Sequence, residues 1–384
     1  MVIFAAAIKL LLLGLTIAAL AYYLLSILAA ARFFSQTGRI TDSQSLPVTI
    51  MIPLCGADAG AYENYATFCR QDYSEYQIVF GVRDPQDSSI PIIQKLMADF
   101  PARDIELVIC PETIGQNLKV SNLQNMLGRV KHEQIVIVDS DVRVGKDYLR
   151  IVVPPLGEEK VGLVTCLYRV AEASSAASIL EAIGITAEFQ PGVLVARLLE
   201  GMRFALGATM ATKKKVLQSI GGFQVIADYL ADDFMLGNLI WKAGYEVSLS
   251  SYVAQTVQGP LKFVSMIRHQ IRLARGIRAS RPRAYLGLIL TNGTTLAVLY
   301  AIVSSASALS FLLLGSTLAV RLTMSWLIGV RWLGDEILRK YIWLVPARDI
   351  LSFFIWCLGI AGKKVEWRGG RFELLDDGKM VRVS

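Results

Sequence analysis

The stretch Gln134-Ile-Val-Ile-Val-Asp139-Ser-Asp141-Val-Arg143 sets two carboxylates one residue apart, just beyond an apolar, β-branched run. At the end of a buried strand such a pair can reach one divalent cation. Hard oxygen ligands suit Mg²⁺ or Mn²⁺, which keep waters and bind substrate phosphates as well. The plain alternative is a strand that ends in a turn with two solvated acids. Other residues bear on the choice. Asp84 follows the run Gln77-Ile-Val-Phe80, in Gly81-Val-Arg-Asp84-Pro85. Asp232 and Asp233 open the amphipathic stretch Leu230-Ala-Asp-Asp-Phe-Met-Leu236. There Asp232 reads as a helix N-cap with Asp233 in the first turn, and a cap and a catalytic acid can share one turn. Gly115-Gln-Asn117-Leu-Lys119-Val-Ser-Asn122 leads into a helix. A Lys and amide side chains at a helix N-terminus can meet a diphosphate or a nucleobase, or can form an Asn-rich turn with a solvated Lys. Gly207-Ala-Thr-Met210 and Gly221-Gly-Phe223 read as tight turns, where backbone can approach a ligand.

The elements that must position these residues alternate. Short apolar runs at Val48–Ile52, Gln77–Phe80, Ile105–Ile109, Gln134–Val138 and Val161–Thr165 read as strands. Helical stretches are expected at Ala61–Arg70, Pro91–Asp99, Lys119–Val130 and Asp233–Lys242. Strands alternating with helices predict an α/β domain over residues 46–260: a mostly parallel sheet with helices on both faces. In such sheets ligands bind beyond the carboxyl ends of the strands, which is where Asp84, Asp139 and Asp141 fall.

The flanks differ in composition. The chain has 384 residues, of which 54% are hydrophobic and 18% charged. The apolar excess is concentrated at the two ends. Residues 3–31 are almost uninterrupted, longer than the apolar region of a signal peptide, and Lys9 lies inside the run rather than ahead of it. About 20 apolar residues span a bilayer, so residues 1–33 are expected to be an uncleaved anchor. Residues 284–362 divide into apolar segments at Ala284–Val303, Ala306–Val330 and Tyr341–Ala361. Arg321 and the pair Arg348-Asp349 interrupt them, and charges at membrane depth are costly and usually paired or functional. With Pro346 as a breaker, the third segment can also be a re-entrant or interfacial helix. The formal net charge is +7, and basic residues crowd the segment edges: Arg268, Arg272, Arg275, Arg278, Arg281 and Arg283, then Arg331, Arg339 and Lys340, then Lys363, Lys364 and Arg368. These favour a cytoplasmic side and anionic headgroups. Residues 261–283 read as a basic interfacial segment and 363–384 as a cytoplasmic tail. Nucleic-acid binding would need the basic stripe without the spans and is not expected. The five cysteines show no CxxC or metal spacing, which fits a reducing compartment.

The ordered set Asp84, Asp139-Ser-Asp141, Gly221-Gly-Phe223 and Asp232-Asp233 with a later basic segment resembles the processive-type family 2 glycosyltransferases. The full layout is more similar to family 21, the ceramide glucosyltransferases. The matching segments include Ile52-Pro-Leu-Cys-Gly56, Phe68-Cys-Arg-Gln-Asp-Tyr73, Asn117-Leu-Lys-Val-Ser-Asn122-Leu123, Ala231-Asp-Asp-Phe234 and Val365-Glu-Trp-Arg-Gly-Gly-Arg371-Phe. A bacterial branch that glycosylates hopanoids is similar as well, notably in Phe68–Tyr73 and Val161–Arg169.

The resemblance implies a GT-A-type nucleotide-sugar domain with transmembrane helices at both ends. It implies that Asp84 holds the uridine, that Asp139 and Asp141 hold the diphosphate through Mg²⁺ or Mn²⁺, and that Asp233 is the general base. Lys119 would join the substrate contacts. The family's next motif, Gln or Arg, two residues, then Arg-Trp, reads His269-Gln-Ile-Arg272-Leu273 here. Arg272 matches, while His269 and Leu273 depart from the pattern, so the substrate contacts of His269 and Arg272 are the least secured part of the resemblance. The expected reaction moves a sugar from a UDP-sugar donor to the hydroxyl of a membrane lipid acceptor, ceramide or hopanoid, with inversion, on the cytoplasmic face (of the inner membrane if the source is bacterial). A processive polysaccharide synthase and a non-catalytic membrane scaffold are the competing readings.

Overall fold

The computed structural model describes residues 2–36 and 45–383. The chain forms two compact units. The sheet unit comprises residues 45–172, 200–259 and 378–383, and the helical unit comprises the remaining described residues. The expected 46–260 domain is therefore interrupted, because residues 173–199 belong to the helical unit.

The sheet unit contains β1 (Val48–Pro53), β2 (Tyr76–Val82), β3 (Asp104–Ile109), β4 (Gln134–Val138), β5 (Val142–Arg143), β6 (Val161–Glu172), β7 (Thr209–Lys213) and β8 (Glu246–Val257). They form one eight-stranded sheet in the order β3-β2-β1-β4-β7-β6-β8-β5. β1 pairs in parallel with β2 and β4, β2 with β3, and β6 with β8; β7 runs antiparallel between β4 and β6. β1 and β2 are buried along their whole length, as expected of parallel strands covered on both faces. Ile50, Ile52, Phe68, Phe80, Val136, Val138 and Tyr148 belong to the core beside them.

The connections leave β1 for β2 and β3 on one side and return to β4 on the other. This is a topological switch point, and the crevice outside the carboxyl ends of β1 and β4 is the expected ligand site. The register aligns those ends: Met51 faces both Val79 and Ile137. Asn122 on the helix Leu118–Met126 fastens the carboxyl ends of β1 and β2, its amide donating to Gly81 O at 2.7 Å and Leu54 O at 3.3 Å. A Cβ at Gly81 would lie 2.5 Å from both the Asn122 amide oxygen and the Met126 sulfur, so only glycine lets this helix close on β2.

The helical unit is built from apolar helices. Five are long and apolar enough to cross a membrane: Ile3–Gln36, Ala176–Glu200, Pro282–Val303, Ala308–Trp332 and Glu336–Ile360. Ala176–Glu200 was not expected from the sequence, because Glu181, Glu188 and Arg197 interrupt its apolar run. Pro346 lies in the first turn of the helix Val345–Ile360, where its missing N–H costs nothing, so it starts that helix rather than breaking it. The basic helix Phe263–Ser280 spends part of its charge inside the unit. Arg275 donates to Ala361 O and Lys364 O, and Arg278 to Ile360 O and Gly362 O. These guanidiniums bind the Ile360 carbonyl at the end of Val345–Ile360 and three carbonyls of the segment that follows it. The Val365–Phe372 segment is a hairpin, β9 (Lys364–Trp367) antiparallel to β10 (Gly370–Leu374), turning at Arg368 and Gly369 with φ of 49° and 77°.

One glycine tests the packing of the sheet unit. A Cβ at Gly237, on the helix Asp232–Lys242, would overlap the backbone nitrogen of Ala205 and lie 2.5 Å from Phe204 C. Backbone cannot swing aside as a side chain can. Gly237→Ala should destabilise the protein by about 1–3 kcal/mol, as overpacking does, seen as a lowered Tm in a thermal melt. An unchanged Tm would show that the helix is not held this tightly.

Candidate active site

β4 ends at Val138, and the next residues form a tight turn in which Val142 N donates to Asp139 O at 3.2 Å. Val257 N on β8 donates to Asp141 O at 2.8 Å, which fixes the far side of the turn. Asp139 and Asp141 therefore stand at the carboxyl edge of β4, next to the switch point. Ser140 donates to Asp58 at 2.5 Å, which brings a further acid, from the segment after β1, to the same turn.

The acidic pair reaches this place from another direction. Asp232 and Asp233 occupy the first turn of the helix Asp232–Lys242; the N-cap position is Ala231, not Asp232 as the sequence suggested, and it makes no side-chain cap. The Asp233 carboxylate accepts from Phe234 N at 2.7 Å. Gly207, just before β7, brings the two sets together. A Cβ there would be 3.2 Å from an oxygen of Asp139 and 3.2 Å from an oxygen of Asp233. The backbone thus passes close to two carboxylates at once, which is what the Gly207 turn contributes.

Lys119 closes the cluster. Its ammonium lies 2.7 Å from Asp139 and 3.1 Å from Asp232, with the side chain only 20% exposed. It is not the solvated lysine of a plain turn. Its position is set by Asn117, the N-cap of Leu118–Met126, whose side chain accepts from Lys119 N at 3.0 Å and Val120 N at 3.1 Å. The Asn117 amide also donates to Tyr229 O at 2.9 Å, and Asn117 N donates to Ala227 O at 2.7 Å. The loop 227–230, which leads to the acidic pair, is held on its other side by the end of the chain. Leu230 N donates to Gly378 O at 3.4 Å, and Met380 N donates to Asp228 O at 2.7 Å. This contribution of residues 378–380 has no signal in the sequence.

The charges answer to this crowding. Burial, with Asp139 and Asp58 nearby, pushes the Asp141 carboxyl up to about 7. Burial and the neighbouring Asp232 push Asp233 up to about 6. Burial would lower Lys119, but Asp139 and Asp232 outweigh it and hold the ammonium above its ordinary value. Asp233, raised to about 6, is still largely ionised at neutral pH, yet is a better proton acceptor than a free carboxylate.

The donor set fits a divalent cation. Asp139 and Asp141 offer hard oxygens on one turn, and the upward push on Asp141 comes first from burial and then from the negative charge of Asp139 and Asp58, which a cation would relieve. Among the described residues no group of three or more His, Cys, Asp or Glu side chains is arranged to hold a metal ion by itself. A cation at this turn would take its remaining ligands from a bound phosphate and water, as Mg²⁺ commonly does.

The other expected site residues lie outside the ion-paired cluster. Asp84 is exposed in the loop after β2, accepting from Gln86 N at 2.9 Å. β2 stands two strands from β4, so Asp84 belongs to the same edge of the sheet, about 10 Å across it by ordinary strand spacing. Gly221 and Gly222, with φ of 92° and 72°, close the helix Lys214–Ser219 and so act as a helix C-terminus. His269 and Arg272 lie one turn apart on the helix Phe263–Ser280 of the helical unit, where His269 Nδ1 pairs with Glu181 at 2.6 Å.

The glycosyl transferase family 21 pattern matches residues 11–380. Ceramide glucosyltransferase 1 of Caenorhabditis elegans is 22% identical over 361 residues, covering 90% of this chain and 75% of that protein. Ceramide glucosyltransferase 3 of the same nematode is 25% identical over 218 residues, 56% of this chain; the matched part spans about half, 47%, of that relative. Among solved structures, the mannosyltransferase PcManGT from Pyrobaculum calidifontis, in complex with GDP-Man and Mn²⁺, superposes with a TM-score of 0.56 at 17% identity, covering 92% of this chain and 96% of that one. The fold is that of the GT-A glycosyltransferases.

Lys119 is the point at which the cluster is most easily tested. Lys119→Met removes the one ammonium between Asp139 and Asp232 and should cost about 2 kcal/mol, the scale of a hydrogen bond to a charged group. The expected readout is a lowered Tm that Mn²⁺ partly restores. A melt unchanged by the substitution and by Mn²⁺ would mean that the carboxylates do not need the charge.

Proposed function

The chain belongs to glycosyl transferase family 21, and from that premise we propose that it moves a sugar from a UDP-sugar to the hydroxyl of a membrane lipid. The observation that carries the reading is the convergence of Asp139, Asp141, Asp233 and Lys119 on the carboxyl edge of β4, beside the switch point of the sheet. The relatives are ceramide glucosyltransferases, which makes ceramide and glucose the leading acceptor and sugar.

In this reading Asp84 holds the uridine at the same sheet edge, and Lys119 contributes positive charge beside the diphosphate. Asp139 and Asp141 would hold a divalent cation, which supplies further positive charge against the diphosphate leaving group. Asp233 accepts the proton of the acceptor hydroxyl, and its raised proton affinity fits that role. The acceptor oxygen bonds to the anomeric carbon as the bond from that carbon to the phosphate oxygen breaks, and the electron pair leaves with UDP. One displacement inverts the anomeric centre, so an α-linked donor gives a β-linked product. His269 and Arg272 are assigned to substrate binding on the family motif alone.

A lipid acceptor is supported by the five apolar helices of spanning length. A hydrophobic acceptor cannot leave the bilayer cheaply, so an enzyme that uses one gains from being embedded. The basic residues at the segment edges favour a catalytic unit on the cytoplasmic face.

Incubation of membranes containing the protein with radiolabelled UDP-glucose and extracted lipid should yield a lipid carrying a single sugar. A polymer would point instead to a processive synthase, and no labelled product to a scaffold. In the same assay Asp233→Asn should lower transfer by about 10²–10⁴-fold, the usual share of a general base, while UDP still binds. Full activity in that variant would remove Asp233 from the base role.

A further inference from the structure

The helical unit buries two sets of charged groups, and they differ in completeness. In the first, Arg321 and Asp349 are 1% and 2% exposed and meet at 2.7 Å. Arg321 also donates to Ala187 O at 2.7 Å and to Ser325 at 3.0 Å, and Thr294 donates to Asp349 at 2.5 Å. This set is satisfied from within, as a buried pair must be.

The second set is not. Glu181 is 2% exposed. Its Oε1 meets His269 Nδ1 at 2.6 Å and Gln270 Nε2 at 3.5 Å, while its buried Oε2 has no hydrogen-bond partner among the described residues. Arg348 is 4% exposed. Its Nη2 donates to Gln270 Oε1 at 3.0 Å and lies 3.5 Å from Glu188 Oε2, while its buried Nε and Nη1 have no partner among the described residues. Gln270 thus links the two residues that carry unmet groups. Gly184, one turn after Glu181, leaves room for the guanidinium, because a Cβ there would overlap it. Glu188 lies in the wide π-helical turn Ile185–Phe189 and accepts from Ser352 at 2.6 Å. Turns of this kind are frequent at functional sites.

An unmet buried polar group costs about 1–3 kcal/mol, so such groups in a native protein are matched by a ligand or by water. Here unmet donors and an unmet acceptor share one cluster. An anionic phosphate would suit Arg348 but meet Glu181 and Glu188 as like charge. An ester carbonyl can accept from Arg348 but has nothing to donate to Glu181. A hydroxyl beside a secondary amide does both, where that hydroxyl is a second one and not the one that receives the sugar and gives its proton to Asp233. We propose that Glu181, Gln270 and Arg348 form a binding site for the neutral, hydroxyl- and amide-bearing polar end of the lipid acceptor. The inference rests on the lipid-acceptor reading given above.

The test uses the purified full chain in detergent micelles and two fluorescent short-chain probes. One is an N-acyl amino alcohol; the other is the same molecule with its hydroxyl and amide methylated. The native protein should bind the first about tenfold more tightly, which corresponds to about 1.4 kcal/mol. Arg348→Met and Glu181→Gln should each abolish that preference while UDP affinity, the readout of an intact sheet unit, stays within about twofold, a shift worth well under 1 kcal/mol. Variants that keep the native preference would overturn the site and leave the cluster closed by water or by itself. Glycosylated lipid formed by a native protein that shows no probe preference would overturn the site and spare the lipid reading. Neither binding nor transfer to any lipid would overturn both.

Discussion

The ammonium of Lys119, held between Asp139 and Asp232, is the interaction around which the acidic edge of the sheet unit is arranged. Asp58, Asp139, Asp141, Asp232 and Asp233 crowd a partly buried edge, and like charges this close cannot all ionise without compensation. One internal cation relieves part of the repulsion. Burial, and after it the repulsion left over, raises the proton affinities of Asp141 and Asp233 to about 7 and about 6. The residual field is a ready demand for more positive charge, and a cation arriving with a diphosphate would supply it. The same field tunes Asp233 toward accepting a proton.

Much of the surrounding structure exists to hold that crowding in place. Asn122 fastens the carboxyl ends of β1 and β2 to the helix that carries Lys119. Asn117 caps that helix and grips the loop leading to Asp232. Residues 378–380 brace the same loop from the other side. Gly207 and Gly237 carry no side chain where one would push the acids or their helix away. Each device is local, yet all of them converge on one charge arrangement.

What was legible in the sequence follows from the kind of signal involved. β1 to β4 are mostly apolar runs closed by Pro, Gly or Asp, so composition and punctuation both announce them, and Asp139, Asp141 and Asp233 could be placed by their elements. β7 and β8 were not seen. Thr209-Met-Ala-Thr-Lys213 is short and half polar, and the apolar residues of β8 are broken up by Ser248, Ser250, Ser251, Gln255 and Thr256; both gain strand structure from their neighbours rather than from their own pattern. The role of Lys119 depends on a partner more than a hundred residues away, which spacing cannot reveal. The helix Ala176–Glu200 was hidden because the charges that interrupt it find their partners inside the helical unit: Glu181 with His269, and Glu188 with Ser352. The basic residues before the second apolar region were legible as charge but not as caps, and Arg275 and Arg278 bind carbonyls at a helix end instead of facing outward.

The central claim is that the carboxylate edge of β4 is a nucleotide-diphosphate site that needs added positive charge. Calorimetric titration of UDP into the purified protein, with Mn²⁺ and then with a chelator, tests this most directly. The account predicts binding at least about tenfold tighter with Mn²⁺, a difference of about 1.4 kcal/mol. UDP binding that is equally tight in chelator, or absent in both conditions, would contradict it.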